Sequence, residues 1–143
     1  MANTAVSATP AAPSAPLQKV ATAVVLAWLV PGAGHFFLNR PIRGAILAGS
    51  VVVMFAFGLL MRGAMFEWLW TSADMLTTLI YCGGYVANNA AGIPYYLATW
   101  MGYSQPDVAG HVHDYGTKFL AGAGLLNVLA MVDAYEIATG EKD

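Results

Sequence analysis

Four stretches nearly free of charge, residues 20–38, 44–61, 75–101 and 119–138, make up most of the chain, separated by short polar segments. Each is long enough for a helix to cross a bilayer, which takes roughly 20 apolar residues. In hydrocarbon only helices and closed barrels satisfy their own backbone groups, and uninterrupted runs of this length suit helices. The expectation is therefore an all-α integral membrane bundle of about four transmembrane helices, occupying residues 18–143. Composition agrees, because 58% of the residues are hydrophobic and 10% charged, too few charges to solvate a water-soluble domain.

Residues 1–17 read differently. Met1 to Pro16 is almost wholly Ala, Pro, Ser and Thr, with Val6 its only larger aliphatic residue after Met1. Such a segment buries too little to offset its ordering entropy and reads as a flexible tail. The rival reading, a cleaved signal peptide, lacks the positive N-terminal region, since Lys19 comes late.

Two apolar stretches carry helix-breaking residues. Pro31-Gly32-Ala33-Gly34 interrupts the first and predicts a kink or partial unwinding, because Pro31 lacks a donor and disfavours helical geometry at Val30. The third contains Gly83-Gly84, Asn88-Asn89, Gly92 and Pro94, and ends among Tyr95, Tyr96, Trp100 and Tyr103, a belt suited to a membrane interface. Whether it is one kinked span or a broken helix stays open. Between the first and second stretches Asn39 reads as an N-cap, with Pro41 in the first turn of the next helix. Between Arg62 and Asp74 the mixture of charge with Phe66, Trp68, Leu69 and Trp70 suits an interfacial segment.

Small residues recur at helical spacing: Gly44 with Ala48, Ala45 with Gly49, Gly84 with Asn88, and Ala123, Asn127, Ala130 and Ala134 along the last stretch. These are expected to be packing seams, with Asn88 and Asn127 hydrogen-bonded to each other across helices. Asp133 lies about one helical turn before Glu136, so it is expected to reach the headgroup region at little cost; the alternative is ion or proton handling by an intramembrane carboxylate, with Lys142 or Arg62 as its counter-ion. His35, just after the Pro-Gly break, is expected to satisfy carbonyls freed by Pro31; the alternative is ligation of a tetrapyrrole or metal. His111, His113 and Asp114 lie within a segment read as a polar loop, Ser104 to Lys118, where an extended backbone would put both imidazoles on one face and permit metal binding. A solvated Asp–His hydrogen bond is the plainer account.

An even number of spans would place Asn39–Arg43 and Ser104–Lys118 on the same side, where Asp107 or Asp114 could pair with Arg40 or Arg43. Lysines and arginines then divide equally, Arg40, Arg43 and Lys118 against Lys19, Arg62 and Lys142, and the positive-inside rule assigns no orientation. The dispersed basic residues argue against nucleic acid as a partner. The single cysteine, Cys82, can form no intrachain disulfide. No serine-nucleophile motif, zinc-protease helix or phosphate-binding glycine loop occurs, so the chain is not expected to be an enzyme.

The stretch Pro31-Gly32-Ala33-Gly34-His35-Phe36-Phe37-Leu38-Asn39-Arg40, followed by Arg43-Gly44, resembles the two-transmembrane-helix domain family. There a glycine-rich first helix ends in a His-x-Phe-Tyr-Leu-Gly-Arg-like sequence, with glycine usual where Asn39 stands here. Asp114-Tyr115-Gly116-Thr117, Leu125-Leu126-Asn127 and Met131-Val132-Asp133-Ala134-Tyr135 look like a small, uncharacterised bacterial multi-pass family. These resemblances imply a membrane hairpin core in a bacterial inner membrane and transfer no catalytic residue. The leading expectation is a structural or interaction protein, in contact with lipid and with other membrane subunits or itself. A pigment- or metal-binding accessory subunit of a photosynthetic or respiratory complex, and proton or small-ion transport through Asp133, are the alternatives.

Overall fold

A computed structural model describes residues 16–68, 74–103 and 111–142. Of the expected tail, residues 1–15 lie outside the described residues, as do Leu69, Trp70 and Asp107, whereas Leu17 already begins a helix. The chain is all-α, with helices α1 (Leu17–Leu29), α2 (Ala33–Phe37), α3 (Pro41–Leu60), α4 (Met75–Ala90), α5 (Ile93–Trp100) and α6 (His111–Thr139). Two of them, α3 and α6, are long and apolar enough to cross a membrane.

The first and third apolar stretches are each broken into two helices. Pro31 drives Val30 into extended geometry, φ −122° and ψ 111°, which ends α1. Gly32 then adopts a left-handed φ of 81°, and its carbonyl accepts the amides of His35 and Phe36 to start α2. The second break also turns on a positive-φ glycine, in a different conformation: Gly92, at φ 73° and ψ −140°, separates α4 from α5, whose first turn contains Pro94. A kink would have kept the chain direction; a positive-φ residue between two helices reverses it.

Both pairs therefore fold back as hairpins. Along α1, Val20 and Ala23 pack with Ala138 near the end of α6, whereas the Trp28 carbonyl reaches Asn127 at mid-helix. Helix α2 returns towards the first end, where Gly34 lies against Ala23, Ala27 and Ala134, and Leu38 packs with Val20 and Ala23. The second hairpin enters from the opposite end. Ala87 and Ala90 of α4 meet Gly124 and Asn127, and α5 runs back until the Tyr103 hydroxyl donates to the carbonyls of Leu59 (3.3 Å) and Gly63 (3.1 Å). The tips meet at mid-height, where the Trp28 indole donates to the Asn89 carbonyl at 3.3 Å and Gly92 sits against the Trp28 carbonyl.

Helix α3 runs antiparallel to α6, with Gly44 beside Gly32 and Phe36, Gly58 beside Leu120, and Gly63 beside Gly116. A Cβ at Gly58 would stand 2.7 Å from Leu120 Cγ, so the missing side chain sets the closeness of the two long helices. The main core combines Val51 and Phe55 of α3, Ala91, Tyr95 and Ala98 of the second hairpin, and Leu120 and Ala123 of α6.

Helix ends explain two departures from expectation. Asn39 is not an N-cap; it takes φ 59° and closes α2, with Arg40 N donating to the His35 carbonyl at 2.8 Å and Asn39 N to Phe36 at 3.2 Å. Arg40 occupies the N-cap of α3, without a side-chain cap bond. The same paired closure, with a left-handed residue outside the helix, ends α3 at Arg62, α5 at Gly102 and α6 at Gly140. The segment His111–Lys118, expected as loop, is the start of α6.

The hairpins also overturn the expected sidedness. Because each returns to the end it entered from, Arg40 and Arg43 lie at the end of the bundle holding the start of α1 and the close of α6. Arg62 and Lys118 lie at the other end, near the start of α6. Neither Asp114 nor any residue near it shares an end with Arg40 or Arg43.

Candidate functional site

The polar interior of the molecule follows α6. Asp133 and His35, 98 positions apart, meet at 2.9 Å between Oδ2 and Nε2. His35 is fully buried; the Asp133 side chain keeps 20% exposure. The short helix α2 places His35 for this contact, since the reversal at Gly32 turns the chain back towards α6 and Gly34 allows close approach to Ala134, 3.3 Å from where its Cβ would be. The second Asp133 oxygen, Oδ1, accepts a hydrogen bond from Lys142, which also lies 3.4 Å from Glu136 Oε2. Gly140 turns the chain so that Lys142 can reach back over the last turn of α6. The Asp133 hydrogen bond and charge hold the Lys142 ammonium above its ordinary pKa.

This chemistry fixes the histidine's role. An ionised carboxylate only accepts, so His35 Nε2 is the donor, and in a neutral ring Nδ1 is then a bare acceptor. That Nδ1 is buried and has no hydrogen-bond partner. His35 therefore does not satisfy the carbonyls near Pro31, contrary to expectation. It offers one nitrogen to an acid and the other to the interior. Lys142, one of two expected counter-ions, reaches Asp133, whereas Arg62 lies at the far end, its carbonyl bound at 2.6 Å by His113 Nδ1.

About 9 Å further in along α6, at 1.5 Å per residue over six residues, lies Asn127. Its Nδ2 donates to the carbonyls of Trp28 (3.1 Å) and Ala90 (2.9 Å), tying the two hairpin tips together. Asn88 is not its partner: both polar atoms of the fully buried Asn88 side chain lack hydrogen bonds, as does Asn127 Oδ1. The helix break accounts for this, because α4 and α1 end beside Asn127 and present carbonyls that outcompete a side chain a turn away.

The small-residue seams are largely internal. Ala123, Ala130 and Ala134 are fully buried, Gly44 and Ala48 face Gly32, and Gly84 lies under the Phe66 ring. Gly49 differs, being exposed with open space where a Cβ would stand. His111 and His113, two apart on a helix rather than on a strand, point to different sides of α6. Among the described residues no group of three or more His, Cys, Asp and Glu is placed to hold a metal. Sequence reasoning missed the His35–Asp133 pairing, whose signal lay in treating the Pro-Gly break as a reversal rather than a bend.

A family model described as a family of unknown function (DUF6677) matches residues 22–143, spanning the stretches that carry both resemblances noted above. No curated protein and no solved structure matches the chain.

Proposed function

Given that this chain belongs to the DUF6677 family of unknown function, we propose that it is a small integral membrane protein that relays protons through His35 and Asp133, with Lys142 as the counter-ion of Asp133. The observation that carries this reading is the buried His35 joined through Nε2 to Asp133, with Nδ1 turned to no partner. A proton taken up at Nδ1 makes the ring an imidazolium, which can pass its Nε2 proton to the Asp133 carboxylate; the carboxylic acid then gives that proton to water at its exposed side while Lys142 stays an ammonium, and tautomer exchange in the ring restores Nε2 as the donor. Ionisable groups within apolar spans are costly to keep and mark ion or proton paths. Two hairpins of half-helices meeting at mid-height belong to the same reading, because transporters place their polar sites at such broken helices.

The end carrying Lys19, Arg40, Arg43 and Lys142 outweighs that carrying Arg62 and Lys118, which supports placing it on the cytoplasmic side. The reading is tested in proteoliposomes holding a pH-sensitive dye under an imposed potential. Proton flux is expected with the natural chain and lost with Asp133→Asn or His35→Gln in folded protein. Flux no greater than in protein-free vesicles, or variants as active as the natural chain, would overturn it.

A second reading, association with itself or with other membrane subunits, is supported by the exposed Ala45 and Gly49 on α3. Gly49→Leu should then weaken association in mild detergent, and an unchanged assembly size would remove this reading.

A further inference from the structure

Apart from the polar line of α6, the second hairpin half of the molecule holds an aromatic cavity of about 600 Å³, between α4, α5 and the segment after α3. Its wall includes Phe66, Trp68, Tyr85, Tyr95, Tyr103 and Glu67. That volume is in the usual range for a small-molecule site. The rings are held in place by one another and by backbone. Trp68 meets Tyr85 edge to face with centroids 5.6 Å apart, and Phe66 meets Tyr81 in the same way at 5.8 Å. Tyr103 is anchored by its hydroxyl to the end of α3, and the absence of a side chain at Gly84 lets the Phe66 ring lie against α4.

Charge is equally one-sided. No lysine, arginine or histidine occurs between Arg62 and His111, and Glu67 is the charged residue among the described lining groups. A cavity walled by π faces with one carboxylate attracts a cation with an apolar surface, through the ring quadrupoles and the acid together. A small metal ion would find too few oxygen ligands there, and an anion would meet Glu67 with no cationic side chain among the described lining residues. We propose that this cavity binds an organic ammonium group, of the quaternary or substituted amine class, borne by a soluble amine or by a lipid headgroup. The site is independent of the His35–Asp133 relay and stands or falls apart from it.

The test uses the full chain purified in a maltoside detergent, with choline chloride as probe and its uncharged isostere 3,3-dimethylbutanol as control, titrated calorimetrically. Choline should bind and the isostere should bind about tenfold more weakly, a difference of about 1.4 kcal/mol, within what cation–π attraction supplies. Glu67→Gln and Tyr85→Leu should each weaken choline binding several-fold, while Tyr85→Phe, which keeps the π face, should not. Unchanged melting temperatures and helical circular dichroism establish that the variants are folded. The source of the group follows from nanodiscs. Weaker choline binding in phosphatidylcholine than in phosphatidylglycerol would indicate a lipid headgroup competing for the cavity, and equal binding a soluble amine. Absence of choline binding in detergent, equal affinity for the isostere, or indifference to both Glu67→Gln and Tyr85→Leu would overturn the proposal.

Discussion

At the scale of single residues, the positive-φ glycines at the two hairpin breaks, Gly32 and Gly92, set where the chain reverses. Gly92 combines φ 73° with a backbone contact, the Trp28 carbonyl, that a Cβ would strike. Gly92→Ala should therefore lower stability by at least ~1 kcal/mol, from the backbone strain of its positive φ alone, read as a drop in melting temperature. Gly83, in the same half, has open space around it within a helix. Gly83→Ala should go the other way, raising stability by about 0.5–1 kcal/mol. Asp74 gives a pH test at the same scale. Its carboxylate caps α4 through the Thr77 side chain and the amides of Thr77 and Leu76, and the Thr77 bonds foremost hold its pKa below the usual value. A lowered pKa means that the cap stabilises the fold above the unfolded carboxylate value and that this is lost as pH falls through the folded one. Acid melts of Asp74→Asn, which can still cap, should lack that part of the pH dependence. What was legible at this scale was the residue type at each special position. Asn39 stands where a related pattern has glycine because both tolerate φ 59°, yet its polarity suggested a cap instead.

At the scale of elements, α3 and the body of α6 were readable because uncharged length is itself the signal for a long apolar helix. The two hairpins were half-readable. Pro31 and Pro94 located the breaks to within a few residues, but composition cannot distinguish a bend from a reversal, which depends on the sign of φ at the neighbouring glycine. The His35–Asp133 contact follows only from the reversal, so it stayed hidden although both residues were singled out. Asn127 offers an element-level prediction, because one side-chain amide holds both tips. Asn127→Ala removes hydrogen bonds to Trp28 and Ala90, each worth on the order of 1 kcal/mol. Amide hydrogen exchange should rise together at the ends of α1 and α4, around Val30 and Ala91, with α3 unaffected. A rise confined to one tip would show that the hairpins are held independently.

At the scale of the whole molecule, the chain is organised as two successive units of hairpin plus long helix, α1–α2–α3 and α4–α5–α6, entering from opposite ends and meeting between them. This arrangement brings a polar chain from Lys142 inward along α6 while the aromatic cavity opens beside the second hairpin, with no basic residue among its described lining. It also separates Arg40 and Arg43 from Lys118, which a count of apolar stretches had put together, since each hairpin returns where a span would have crossed. The most direct test is impermeant thiol labelling of intact, oriented vesicles in a Cys82→Ser background, with single cysteines at Gln18, Arg43, Met75 and Trp100. The account requires Gln18→Cys and Arg43→Cys to label from one side and Met75→Cys and Trp100→Cys from the other. Labelling of Gln18→Cys and Arg43→Cys from opposite sides would mean that α1 and α2 cross the membrane, and would contradict it.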